Sequence, residues 1–246
     1  MTPRAPPLDT LRCVIPRSLL ACIAAWCALP AAAVLTRPDR DDAEYLELAS
    51  RYTSSLPLPA PGGEGVLIAP RWVLTTAQRA KALQGGRNAA IVSGGRSHEI
   101  QSVHLHDEMG LLRLRQPVRG VTPTFLYRGA ELAGKTLVIV GHGGTDRKAR
   151  AAINTVDRLS ASSFGLRVKP LDEASDLQGA LTAAETGAPA YLETPDGIFV
   201  AGIHSTSEGA DWTLFARASA YADWVEAVMI AAEREEQEAL LGTGTG

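Results

Sequence analysis

Beyond position 27 the chain contains no cysteine: Cys13, Cys22 and Cys27 are its only three, in a sequence of 246 residues. The body of the protein therefore has to be held by its apolar core, without disulfides and without zinc on cysteine ligands, which a chain of this length can manage. Clusters of lysine and arginine able to neutralise phosphates are also missing, and the formal net charge is −3. That balance excludes nucleic acid as a general partner. The glycine loop at Gly141-His142-Gly143 is too short for a phosphate loop and has no following Lys-Ser/Thr pair, so no nucleotide is expected there. His104 and His106 fall two apart in a strand-like stretch without a third ligand nearby, so neither metal nor cofactor is expected.

What the chain does have begins with a leader. Arg4, Arg12 and Arg17 precede the apolar run from Ser18 to Leu29, and Ala31-Ala32-Ala33 follows it. The run is shorter than the ~20 residues a spanning helix needs, and its small-residue end suits a signal peptidase. Residues 1–33 are read as a secretory signal peptide, which makes the mature protein secreted or periplasmic and free of the membrane once the leader is cleaved. An uncleaved anchor is the alternative. All three cysteines would leave with the leader.

The remainder is dominated by short apolar runs separated by Gly, Pro and Asp turns, the pattern of an all-β body. Gly65-Val-Leu-Ile-Ala-Pro-Arg-Trp-Val-Leu-Thr-Thr-Ala-Gln-Arg79 reads as two strands around a Pro-Arg turn. His106-Asp-Glu-Met-Gly-Leu-Leu-Arg-Leu114 is a further strand with charged residues at its start. Ala184-Glu-Thr-Gly-Ala-Pro189 precedes an apolar strand, a turn at Pro195-Asp196-Gly197 and the run Ile198–Ile203. Near the end, Trp212–Arg217 reads as a strand and Ala218–Met229 opens a helix, with Ser219 as its N-cap and Tyr221, Trp224, Val225 and Val228 on one face.

In order and spacing these segments resemble the trypsin-like serine peptidases, including secreted bacterial members, which carry G-x-L-I-x-P-x-W-V-L-T-A-A-H-C, H-x-x-D-I-A-L-L-R-L, G-D-S-G-G-P and a closing R-V-S-x-Y-x-D-W-I helix. The resemblance implies a chymotrypsin-like double β-barrel with a C-terminal α-helix. Its expected parts are a first barrel with its N-terminal segment over 34–118, a second barrel over 119–218, and a helix with a mobile tail over 219–246.

The same resemblance places Gln78 at the position of the catalytic histidine, Arg79 at that of the cysteine after it, Glu108 at that of the aspartate and Thr186 at that of the serine. A slip of one residue would substitute Asp107 for Glu108. A carboxamide is not a base at neutral pH and cannot shuttle the proton that acyl transfer requires. Ala184 replaces a glycine that contributes to the oxyanion hole, and Glu185 replaces the aspartate that pairs with a processed amino terminus. Cleavage after Ala33 would expose Val34.

The expectation is a degenerate triad held as a hydrogen-bond chain, Gln78 donating to Glu108 and accepting from Thr186. The protein would be an inactive peptidase homologue that binds an extended peptide or protein in the inter-barrel cleft, along Ser205, Thr206 and Ser207. The alternative is an active endopeptidase or esterase using Thr186 with another base, for which His204 is the nearest candidate.

Overall fold

The computed structural model describes residues 34–59, 63–84, 89–92, 96–143, 146–209 and 211–242. The leader read over 1–33 and the tail from 243 onward lie outside them. In chain order the elements are β1 (Leu35–Thr36), α1 (Asp42–Ala49), β2 (Ser55–Pro57), β3 (Glu64–Ala69), β4 (Trp72–Thr76), α2 (Ala77–Ala82), β5 (Ala89–Val92), β6 (Arg96–His106) and β7 (Met109–Leu114). They continue with β8 (Thr136–Gly141), β9 (Arg150–Leu159), β10 (Ser163–Arg167), β11 (Gly179–Ala180), β12 (Pro189–Thr194), β13 (Gly197–Glu208), β14 (Trp212–Arg217) and α3 (Ala218–Gly242).

Two antiparallel sheets carry the structure. The C-terminal one closes into a six-stranded barrel in the order β10-β14-β13-β12-β8-β9. The N-terminal one runs β2-β3-β4-β7-β6-β5. Among the described residues no ladder joins β5 to β2, so the second closed barrel of the expected pair is not completed by backbone pairing. Strands β3, β4 and β7 are apolar on both faces because they are covered on both: Leu67, Val73 and Leu112 pack into one cluster, while Val66, Leu74 and Leu111 pack into another. The second cluster also takes in Val138, Tyr191 and Val200 of the barrel and Tyr221 and Val225 of α3, so one core joins both sheets and the helix. The barrel has its own filling of Leu137, Ile139, Leu192, Phe164 and Phe215, the last two rings stacked at 5.0 Å.

Helix α3 starts at Ala218, so Ser219 lies inside its first turn and not at the cap. The first described segment is docked by pairing of β1 with β11, Leu35 opposite Ala180. Asp41 caps α1 by accepting from the Ala43 N–H, and the Tyr45 hydroxyl donates to the Gln178 carbonyl. Those contacts bring Val34 to the loop that precedes β12.

Candidate functional site

The loop from Thr182 to Gly187 is a 3-10 turn over Ala183–Glu185 folded around its own acid. The Glu185 N–H donates to the Thr182 carbonyl at 3.0 Å, and the Glu185 side chain turns back to accept from the Thr182 N–H at 2.8 Å and from its hydroxyl at 3.2 Å. The other carboxyl oxygen accepts from the Val34 N–H at 2.9 Å. Glu185 is fully buried, and that burial, with the nearby Glu64 carboxylate adding to it, pushes its pKa up to about 7.

Thr186 follows as the residue expected in the nucleophile's place. Its hydroxyl donates to the Ala183 carbonyl at 2.8 Å. The turn therefore points an acceptor at Thr186, where acyl transfer would need donors for a developing oxyanion. Ala184 has an ordinary negative φ inside the turn. Gly187 is different: its φ is +99°, its N–H donates to the His204 carbonyl at 2.8 Å, and a Cβ there would collide with the Glu64 carbonyl. Only glycine fits that bend.

Gln78 sits in the first turn of α2, whose N-cap Thr76 accepts from the Arg79 N–H. The β6–β7 hairpin faces it, with Asp107 in the left-handed region at φ 49° and the Ala77 N–H donating to the Glu108 carbonyl at 2.8 Å. Gln78, Asp107, Glu108, Ser205 and Thr206 meet around one cavity of about 310 Å³. Both acids of the uncertain register line it, and both are exposed at the hairpin tip. Among the described residues no hydrogen bond joins Gln78 to Glu108 or to Thr186. The expected chain is not formed, because the Thr186 hydroxyl is already spent on Ala183.

His204 is completely buried. Its Nδ1 faces the Glu185 carbonyl at 3.1 Å, and its Nε2 faces the Thr206 carbonyl at 3.1 Å and the Ser207 hydroxyl at 3.3 Å. Burial pushes its pKa down. The neutral ring can donate to only one of the two carbonyls, and its place between the loop and β13 ties the two together; among the described residues no hydrogen bond joins it to Thr186. Past Ile203, β13 leaves β12 and, among the described residues, pairs with β14 alone, which gives Ser205, Thr206 and Ser207 one edge outside those ladders. The Ser205 and Ser207 hydroxyls donate to the Leu214 and Leu181 carbonyls.

Three features were missed in reading the sequence. Glu64, only 3% exposed, accepts from the His142 N–H and from the His142 ring Nδ1, both at 2.8 Å. Thr75 donates to the Glu64 carbonyl at 2.7 Å, and the Glu64 N–H donates to the Thr186 carbonyl at 3.0 Å. Arg79 runs past Gly63, where a Cβ would stand 2.8 Å from its stem, and ends near Ala183. A charged residue in place of the expected cysteine, opposite a glycine, is the one cue that could have pointed to that reach. His104 and His106 separate: the first lies against Trp72 and the Ser102 hydroxyl, the second stacks on Trp224 at 5.3 Å. Among the described residues no group of three or more His, Cys, Asp or Glu is arranged to hold a metal.

A closed antiparallel barrel, a second six-stranded sheet, a C-terminal helix and a tight loop leading into the β12–β13 hairpin together define the fold of the trypsin-like serine peptidases. Among solved structures, kallikrein-related peptidase 10 in complex with Zn2+ superposes with a TM-score of 0.59 and 16% identity, covering 74% of this chain and 98% of that one. At that identity the likeness is one of fold. No protein-family model and no curated protein matches the chain.

Proposed function

We propose that this chain is a trypsin-like peptidase homologue without peptidase activity, exported by its leader, that binds an extended peptide or protein segment in the cleft between its two sheets. The observation that carries this reading is the hydrogen bond from the Thr186 hydroxyl to the Ala183 carbonyl. A nucleophile must be free to lose its proton to a base, and the oxyanion that forms must meet N–H donors. Here the hydroxyl is committed to a carbonyl, an acceptor occupies the donor position, and Gln78 stands where the base belongs.

Binding survives the loss of chemistry because it uses different atoms. The free edge at Ser205, Thr206 and Ser207 can add a strand through main-chain hydrogen bonds, and the cavity beside Gln78 and Glu108 supplies a polar recess for a side chain. The test is to treat the purified chain with a fluorophosphonate probe and broad chromogenic peptides. Neither labelling nor hydrolysis is expected. Labelling that disappears in Thr186→Ala would make the protein an active hydrolase and overturn the reading.

A further inference from the structure

Arginine side chains with a buried, unpartnered Nε occur at three places among the described residues: Arg79, Arg113 and Arg217. Two of them are otherwise well supplied. Arg113 donates to the Glu236 carboxylate at 2.6 Å, and Arg217 donates to the carbonyls of Ser160, Gly129 and Ala130. Arg79 has a single long contact, 3.4 Å from Nη2 to the Ala183 carbonyl, and no carboxylate within ion-pair distance among the described residues. A guanidinium carries five N–H donors and a permanent charge, so a half-buried one left this poorly paired is costly unless something else meets it. Its charge is felt inside the protein, since it contributes to the lowering of the His204 pKa.

The place matters as much as the vacancy. Arg79 is held in α2 directly after Gln78, threaded past Gly63, and delivered to the loop beside Thr186. Beside Gln78 stand two acids, Asp107 and Glu108, which line the cavity with it. Arg79 lies outside the cavity lining, so a bound strand would meet the two carboxylates in the cavity and the guanidinium beyond it, at the Ala183 turn. A polyanion would be repelled by the acidic side, whereas a single carboxylate on an otherwise neutral or cationic strand would satisfy both.

The geometry points to Arg79 as the anchor for one carboxylate of the bound peptide, from an aspartate or glutamate side chain or from a free C-terminus. This deepens the peptide-binding reading and rests on it. The two Nη groups suit a carboxylate end-on while Nε stays buried, and Nη2 needs to give up only its long contact with Ala183 to receive one.

Fluorescein-labelled octapeptide pools of neutral residues, titrated against the full chain, read the preference by anisotropy. One pair of pools fixes a central aspartate or asparagine with an amidated end; the other carries a free or an amidated C-terminus. The acid member of one pair is expected to bind about tenfold more tightly than its amide, the low end for a charge-assisted hydrogen bond at a partly exposed site. The pair that shows the difference identifies the source of the carboxylate. Arg79→Gln should abolish the preference while leaving the amide pools bound as before. Equal binding of acid and amide, or a preference that persists in Arg79→Gln, overturns the assignment.

A second measurement separates this assignment from the peptide-binding reading itself. The Nε–H resonance of Arg79, recognised by its loss in Arg79→Lys, should shift on adding N-acetylglycine and stay in place with N-acetylglycinamide. That shift without binding of any pool would uphold the anchor and refute the extended-peptide reading, whereas no shift overturns the anchor.

Discussion

Glu185 should make the stability of this fold fall as pH rises. The side chain is fully buried, receives three hydrogen bonds, and still has its pKa pushed from an ordinary 4.5 up to about 7, because burial outweighs those donors and Glu64 stands nearby. A carboxyl that holds its proton more tightly in the fold than in the unfolded chain contributes its stability below the unfolded pKa and loses it as pH climbs through the folded one. Between about pH 5 and about pH 8 the loss amounts to about 2–3 kcal/mol. Glu185→Gln cannot ionise, so the wild-type chain should lose that much relative to the variant over this range. The glutamine itself is not neutral: its amide would face the Thr182 N–H, so the comparison is of slopes and not of absolute stabilities. Urea unfolding followed by tryptophan fluorescence supplies the slopes. In a chain beginning at Val34 the peptide N–H at 2.9 Å would become an ammonium, Glu185 would stay ionised, and the slope should flatten or reverse. A wild-type curve parallel to that of Glu185→Gln across the whole range in the intact chain would refute this account.

Three further outcomes test the site. Gly187→Ala should destabilise the protein by about 3 kcal/mol or more, since the φ of +99° and the collision with the Glu64 carbonyl act together; thermal denaturation within 1 °C of wild type would contradict the loop geometry. Thr186→Ser should keep the bond to Ala183 and nearly full stability, while Thr186→Val, similar in shape, should lose about 1 kcal/mol. Equal melting of wild type and Thr186→Val would mean the hydroxyl has no structural partner. Gln78→His with Thr186→Ser should give weak hydrolysis of chromogenic peptides, and adding Ala184→Gly should raise it on the order of tenfold by loosening the turn that aims the carbonyl inward. No gain in any combination would show that these positions do not form a catalytic set.

What could be read in the sequence was what local chemistry decides. The Gly65–Arg79 run shows its strand pair because both faces are covered, and the turn at Pro70-Arg71 interrupts it visibly. The Thr186 loop is marked by its glycine, alanine and proline before an apolar strand. The direction of the Ala183 carbonyl has no such marker. It follows from Glu185 folding back on Thr182 while holding Val34, 151 residues away in the chain, and no window of sequence contains both partners. The expected hydrogen bond from Thr186 to Gln78 failed for this reason: residue types at triad positions say which bonds are chemically possible, and the backbone chose a nearer acceptor. Arg79 was legible only as a missing cysteine. Its reach depends on Gly63 lacking a Cβ, a contact between residues 16 apart.

In the proposed reading, the amide at Gln78 and the bond from Thr186 to Ala183 reinforce one another. With a histidine in place of Gln78, the Thr186 proton would have a strong acceptor and the bond to Ala183 would have a competitor. With an amide there, the carbonyl of the turn faces only a weak rival, and the turn settles on the Thr186 hydroxyl. Arg79 strengthens that choice by adding a second, longer contact to the same oxygen. On the proposed reading, a ligand carboxylate that drew Arg79 away would loosen its contact with Ala183 without supplying a base, so binding at Arg79 would alter the loop and not restore hydrolysis. In the proposed reading binding and catalysis call on different atoms: the first would use the guanidinium and a free strand edge, the second a proton shuttle, which a carboxamide at Gln78 cannot supply.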